Sequence, residues 1–414
     1  MNNNPPRRVV VIGAGAAGTM AAIFAATVGV DTTLVERSAD GGRKILISGG
    51  GRCNVLPARV DESRFVTDSS PNLLKKLVRA WPLSAQRAFF EDTLGIPLAE
   101  ETESAKLFPV SNRARDVRDG LLGYARQQGV RMRFGSHVIS IAPTASGWTV
   151  SLETGETLHA DAVIVATGGL SVPATGSDGD GLRFLVAMGH EMHPTYAALT
   201  PVTAEPSAYT ALSGVSLTVS LTARSEARSA QSRGGFLFTH RGYSGPSVLD
   251  VSHVLVRARA EQQPATLKVQ WTALADAAWE AALKPHGVRT VLGALRAELP
   301  DRLAAVLLDV ARVDATRTLS ELRREERLRL IETLVRGDLP WSGDEGYKKA
   351  EVTGGGVALG DVHPRTMESR RQRGLFLCGE VLDAFGPIGG YNFHWAWSTG
   401  RAAGLGAASI PIAD

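Results

Sequence analysis

The sequence predicts an α/β fold whose dinucleotide-binding domain is split between the two ends of the chain. Three observations predict it. An apolar strand near the N-terminus, Val9-Val10-Val11-Ile12, runs straight into Gly13-x-Gly15-x-x-Gly18. A second apolar run near the C-terminus ends in Gly379-Glu380 and is soon followed by Gly386-Pro387-Ile388-Gly389-Gly390-Tyr391-Asn392. Between them the texture changes after about residue 190 and becomes glycine-rich again near residue 350.

At 414 residues the chain is long for one core and predicts two or three domains. Its 44% hydrophobic and 21% charged residues are those of an ordinary globular protein. A net charge of +3 is too mild to argue for nucleic acid as a partner. The two cysteines, Cys53 and Cys378, form no CxxC, which leaves no redox dithiol or zinc site and fits a reducing cytosol. The start, Asn2 to Arg8, with Arg7-Arg8 before an apolar stretch, mimics an export signal, but glycines interrupt after Ile12. No stretch approaches the ~18 apolar residues of a membrane span.

In order, Val9–Ile12 reads as a buried parallel strand, Ala14–Val28 as a small-residue helix and Asp31–Glu36 as a second strand. A glycine- and arginine-rich loop is expected over 41–54. Helical periodicity covers Pro71–Leu94 and Ala114–Gln128, and strands are expected at Val130–Phe134 and His137–Ile141. Trp148–Leu152 and Thr157–Val165 predict a hairpin around Thr154-Gly155-Glu156. Short alternating strands follow over 195–271, with Ser244-Gly245-Pro246-Ser247 as a helix start bearing proline at its first position. Residues 273–336 read as several helices. A last strand, Gly374–Cys378, leads to a terminal helix from about Asn392. The expected division is therefore 1–190 and 347–414 for the nucleotide-binding domain, 191–272 for a β-rich insertion and 273–346 for a helical one.

Gly13 suits a tight turn, Gly15 close approach of a pyrophosphate, and Gly18 close helix–strand packing. The pyrophosphate would rest on the helix N-terminus near Ala14 and Ala17, where free N–H groups favour negative charge. Glu36 closes the next strand, where a carboxylate accepts hydrogen bonds from a ribose diol, with Arg37 beside it. The loop Gly42-Arg43-Lys44 to Ser48-Gly49-Gly50-Gly51-Arg52-Cys53-Asn54 combines glycines that let backbone approach a ligand with cations for a pyrophosphate or acidic substrate. Only one strand–glycine–helix unit is present, so a nicotinamide cofactor has no second domain of its own. One dinucleotide site gripped from both chain ends points to FAD, with NAD(P)H as a transient electron donor docking on the flavin face.

These segments, together with Phe238-Thr239-His240-x-Gly242-x-Ser244-Gly245-Pro246, Val352-Thr353-Gly354-Gly355-Gly356-Val357 and Trp395-Ala396-Trp397, resemble the BaiN/RdsA family of NAD(P)/FAD-dependent oxidoreductases, also described as aminoacetone-oxidase-like flavoproteins. The resemblance spans the chain. It implies a glutathione-reductase-class FAD-binding Rossmann domain, discontinuous, with inserted β-barrel-like and helical domains. It implies that Gly379, Glu380, Gly389, Gly390, Tyr391 and Asn392 contact the ribityl chain and flavin. Val138 and the strand end Ala166-Thr167-Gly168 complete the expected cofactor contacts. The chain departs from the family at Leu56-Pro57, where Thr-Asn is common, and at His394, where Gln is common. Both departures bear on the substrate.

His394, Tyr391 and Cys53 are the candidate catalytic residues. Each also has a plain reading, His394 as packing beside Trp395, Tyr391 as a ribityl contact and Cys53 as a small buried residue. The mixed Arg and Glu of 317–336 read as a solvated helix face rather than an RNA-binding one. The reaction expected is hydride transfer through flavin N5 on a small or hydrophobic substrate, as NAD(P)H-dependent reduction of an unsaturated carbonyl. The alternatives are an oxygen-dependent amine oxidase and a flavin-dependent tRNA-modifying or RNA-binding protein. Nothing in the sequence specifies an oligomeric state.

Overall fold

The computed structural model describes residues 7–205 and 209–409; Asn2–Pro6, weighed above as part of an export signal, lie outside them. The described chain divides into two compact units, 1–195 with 352–414, and 196–351.

The first unit is built on five parallel strands: β1 (Arg8–Ile12), β2 (Asp31–Val35), β3 (Arg131–Arg133), β4 (Ala162–Val165) and β5 (Leu375–Leu377). Their order is β5-β4-β1-β2-β3, so the last strand of the chain joins the sheet beside β4 and completes the domain begun at the N-terminus. β-Branched residues fill β1 and β4 because both faces of a parallel sheet are covered. Helix α1 (Ala16–Ala26) is apolar nearly all round, as a helix buried in a core must be. The terminal helix α2 (Tyr391–Ser409) crosses it at very short range. A Cβ on Gly400 would stand 2.4 Å from the Ala17 carbonyl oxygen, and one on Gly404 2.3 Å from that of Ala21. Glycine on one helix and alanine on the other permit that approach.

Several expectations change in detail. The loop expected over 41–54 contains a short helix, Arg43–Ile47, and a tight helical turn, Ser48–Gly51. Ile45 is the reason: it is buried, and one helical turn carries it into the core. The periodic stretch 71–94 breaks at Trp81-Pro82 into helices Pro71–Arg79 and Leu83–Ala88, since proline restricts the residue before it. The hairpin forms at Gly155, whose φ is +85°. Its second strand ends at Ala160, and β4 begins at Ala162 in a different sheet.

The second unit carries a seven-stranded antiparallel sheet, in the order Gly337–Asp338, Ala265–Gln270, Ser216–Ser225, Ser229–Phe238, Gly242–Ser244, Val202–Thr203 and Gly343–Asp344. The two edge strands are consecutive in sequence, separated only by Leu339–Ser342. Five residue steps span at most ~18 Å, so the sheet must curl until its edges are neighbours, a barrel-like form. Helix Pro246–Ala260 starts at the predicted proline. Phe236 of the sheet and Trp271, just past the strand Ala265–Gln270, share one core with Trp279, Leu307 and Leu330 of the helices. The segments expected as a β-rich and a helical domain thus lie within one compact unit. Among the described residues no helix is long and apolar enough to cross a membrane.

Candidate functional site

Parallel strands send their C-terminal ends to the same edge of the first unit's sheet. Gly13 follows β1, Glu36 follows β2, Ala166-Thr167-Gly168 follow β4, and Gly379-Glu380 follow β5. Open α/β sheets bind ligands outside this edge. Segments more than 300 residues apart in sequence meet there for this topological reason.

The glycines of the first turn divide the work. Gly13 has φ +101°, and a Cβ there would lie 2.6 Å from the Ala166 oxygen. A Cβ on Gly18 would lie 1.8 Å from the Gly13 oxygen. Both are packing requirements. Gly15 is different, because a Cβ there meets nothing within 4 Å. It is the N-cap of α1, no side chain caps it, and no acidic residue occupies the first turn. An uncapped helix N-terminus below open space fits a diphosphate. Glu36 stands beside it, its Oε2 accepting from the Ala14 N–H at 2.8 Å and its Oε1 from the Ser38 hydroxyl at 2.6 Å. Arg37 forms an ion pair with Asp178 and lies 3.5 Å from Asp180. Val138 is buried at the start of the strand Val138–Thr144, beside a bulge. Thr167 packs on Gly181, where a Cβ would meet the Thr167 hydroxyl, and Gly168 turns with φ +75°.

The cations of the next segment have protein carboxylates. Gly42 turns the chain with φ +71°, and Arg43 donates to Asp40 at 2.7 Å. Lys44 Nζ donates to Glu380 at 2.7 Å and to Ser171 Oγ at 2.6 Å. Burial raises the Glu380 pKa, but the Lys44 charge and the hydrogen bonds from Lys44, Ser171 and Thr353 hold it below the ordinary value on balance. Gly49, Gly50 and Gly51 follow with φ +56°, +67° and +85°, an exposed run of left-handed backbone that only glycine adopts freely. The Ser48 hydroxyl caps the short helix on the Ile45 carbonyl. Arg52 stacks over Phe108 and pairs with Glu101 at 3.0 Å.

Asn54 joins the two ends of the chain. With its amide oriented to suit its neighbours, its oxygen accepts from the Gly390 N–H at 2.9 Å and its nitrogen donates to the Leu56 carbonyl at 3.3 Å. Gly389 and Gly390 turn with φ +127° and +88°, and a Cβ on Gly390 would meet the Leu56 carbonyl carbon at 2.4 Å. Asn392 closes the turn by exchanging two 2.9 Å hydrogen bonds with the Gly386 backbone. Gly379 is held from both sides, donating to Thr399 and accepting from the Trp395 indole, each at 3.0 Å.

The catalytic candidates stand differently. The Tyr391 hydroxyl donates to the Arg59 carbonyl at 3.2 Å and accepts from the Asp61 N–H at 3.3 Å, so it is committed to the 59–61 loop. His394 is 1% exposed, and neither ring nitrogen has a partner of good hydrogen-bond geometry. Burial pushes its pKa down to about 4, only partly offset by the nearby Val78 backbone and Glu62, so the ring is neutral at pH 7. Cys53 is fully buried, and burial pushes its thiol up to about 12. Among the described residues no group of His, Cys, Asp and Glu forms a metal site.

Sequence reasoning passed over Ser171 and gave no role to Asp383. The Asp383 carboxylate is 2% exposed and one of its oxygens accepts from Thr67, Asp68 and Ser69, with His193 Nε2 at 3.6 Å. Its signal was an acid inside the apolar run that follows Glu380. Ser171 carries no sequence signal, because a serine after glycines is common in any loop.

The family profile described as "HI0933-like protein Rossmann domain" matches residues 7–406. The chain is 33% identical to a ribosomal RNA dihydrouridine synthase of Escherichia coli, over 95% of this chain and 96% of that one. It is 30% identical to a 3-dehydro-bile acid delta(4,6)-reductase of Clostridium scindens, over 98% of this chain and all of that one. The crystal structure of a 3-ketosteroid delta1-dehydrogenase from Sterolibacterium denitrificans superposes with a TM-score of 0.53 at 12% identity, covering 97% of this chain and 99% of that one, which speaks to the fold alone.

Proposed function

The chain belongs to the HI0933-like Rossmann-domain family and is an FAD-dependent oxidoreductase, and from that premise we propose that it reduces a carbon–carbon double bond conjugated to a carbonyl. One observation carries the reading. Two relatives similar along their whole length carry names that describe the same bond change on different molecules. Dihydrouridine is uridine with the ring double bond beside its carbonyl saturated. A delta(4,6)-reductase of a 3-oxo steroid acid saturates double bonds conjugated with that ketone. The shared reaction adds a hydride to the carbon remote from the carbonyl and a proton to the carbon next to it.

FAD, when bound, supplies two-electron hydride chemistry, and NAD(P)H is the proposed donor that replenishes it. The chain's own residues bind and orient the cofactor. Gly15 and the N-terminus of α1 receive the diphosphate, and Glu36 the ribose diol. The turn at 389–392, pinned by Asn54 and Asn392, would hold the flavin through backbone N–H groups other than that of Gly390, which Asn54 takes. The left-handed glycine turn at 49–51 would let the backbone approach the cofactor closely.

The first substrate reading is a uracil ring in ribosomal RNA, favoured by the slightly higher identity to the RNA enzyme. The second is a small enone, favoured by the mild net charge of +3. The deciding experiment reduces the purified yellow protein anaerobically with NADH or NADPH. It is then offered deproteinised ribosomal RNA or a cyclic enone, with nucleosides and products analysed by mass spectrometry. Dihydrouridine supports the first reading, and a saturated ketone alone the second. Bleaching only by an amine, with peroxide formed on admitting air, would overturn both in favour of an oxidase.

A further inference from the structure

We infer that Lys44 is a positioning residue that sets the redox balance of the flavin site through Glu380, rather than a ligand of the cofactor's phosphates. The inference rests on the proposal that FAD occupies the C-terminal edge of the sheet.

The Lys44–Glu380 pair is part of a closed network. Glu380 Oε2 accepts from Lys44 at 2.7 Å. Its Oε1 accepts from the Ser171 hydroxyl at 2.6 Å and from the Thr353 N–H at 2.9 Å. Thr353 Oγ1 in turn accepts from the Leu170 N–H at 2.7 Å and the Ser171 N–H at 3.1 Å. Four chain segments, around residues 44, 171, 353 and 380, are thus tied at one point. Those around residues 44, 171 and 380 follow or flank a motif assigned above to the cofactor.

The Lys44 and Glu380 side chains are only 25% and 18% exposed. A charge so placed needs its partner, because desolvation is not recovered from water. Neither can the charges readily move apart. A Cβ on Gly169 would lie 2.3 Å from Thr353 Oγ1 and 3.1 Å from Glu380 Oε1, so backbone packs directly against the network. Together the two side chains are neutral. Singly, each leaves a fixed, uncompensated charge at the edge where electrons arrive.

That asymmetry gives opposite signs. Without the lysine, the Glu380 carboxylate opposes the negative charge gained on reduction. Without the carboxylate, the Lys44 ammonium favours it. Lys44→Met is expected to shift the flavin midpoint potential negative and Glu380→Gln to shift it positive. Each shift corresponds to at least a tenfold change in the relative affinity for reduced and oxidised flavin, about 30 mV for a two-electron couple. The double variant is expected to return close to wild type, since it restores neutrality.

The test is dye-equilibrated reductive titration of the three holoproteins beside wild type. Opposite shifts that cancel in the double variant support the inference. Shifts of the same sign, or none, overturn it and leave the network a structural clamp. If Lys44→Met loses its flavin, Glu380→Gln alone decides: a positive shift supports the inference, and a zero shift, a negative shift or loss of flavin overturns it. A wild-type protein that cannot be loaded with FAD overturns the cofactor reading itself, which is recognisably a different failure.

Discussion

The side-chain oxygen of Asn54 accepts a hydrogen bond from the backbone N–H of Gly390 at 2.9 Å, joining the first glycine-rich segment to the last. Asn54 is only 9% exposed, and both ends of its amide are used. Asn54→Leu removes the acceptor and leaves the Gly390 N–H unsatisfied, at a cost of about 1–3 kcal/mol. Urea unfolding reads the loss, and flavin affinity is expected to fall with it. An unchanged midpoint and unchanged affinity would show that the junction is held by other contacts.

Gly15 and Gly18 are expected to separate binding from folding. Gly15 has φ −75°, open to any residue, and free space above it. Gly15→Val is expected to leave the apoprotein's stability within about 1 kcal/mol while abolishing FAD binding. Gly18→Val drives its side chain into the Gly13 carbonyl, 1.8 Å from the Cβ position, and is expected to cost more than about 3 kcal/mol. Calorimetry of the apoproteins with FAD titration distinguishes them. Retained FAD binding in Gly15→Val would move the diphosphate elsewhere.

Two buried histidines make the fold acid-sensitive. Burial pushes His253 and His394 down to about 4 from the ordinary 6.5. The unfolded chain therefore binds more protons than the folded one between pH 6.5 and 4. Stability is full above that window and is lost as pH falls through it, by on the order of 3 kcal/mol per histidine at most. His394→Leu is expected to lose less stability than wild type between pH 7 and 4.5. Parallel pH profiles for the two proteins would contradict the neutral, buried ring.

Both thiols are expected to be silent in the native protein. Cys53 is raised to about 12 and Cys378 is raised further, both by burial. A disulfide reagent at pH 8 is expected to find no fast-reacting thiol in the folded protein and two after unfolding. Rapid labelling of Cys53 would reopen a redox role for it.

Much of the candidate site was legible because its parts are local. Gly13 to Gly18, Glu36 and the 389–392 turn each need particular residue types at fixed spacing, and spacing survives in a sequence. The short helix Arg43–Ile47 was not legible, because what makes it is the burial of Ile45 against residues distant in the chain. The strand break between Ala160 and Ala162 was hidden for the same reason, since both halves have strand propensity and only their partners differ. Ser171 was invisible, because its role exists only once Lys44 and Glu380 are on either side of it.

By itself the sequence determined the split nucleotide-binding domain and the cofactor class, because the backbone turns that cradle a diphosphate demand glycine and a ribose demands an acid. The tertiary structure alone decided which charges face one another. The loop cations, expected at a pyrophosphate or an acidic substrate, also meet protein carboxylates in the fold, Arg43 at Asp40 and Lys44 at Glu380. For Tyr391, His394 and Cys53 the sequence left a catalytic and a plain role side by side, and it is the fold that sets the Tyr391 hydroxyl on the 59–61 loop and buries His394 and Cys53. A side chain's chemistry follows from its type, but its partner and its solvation follow from which distant segments the sheet order brings beside it.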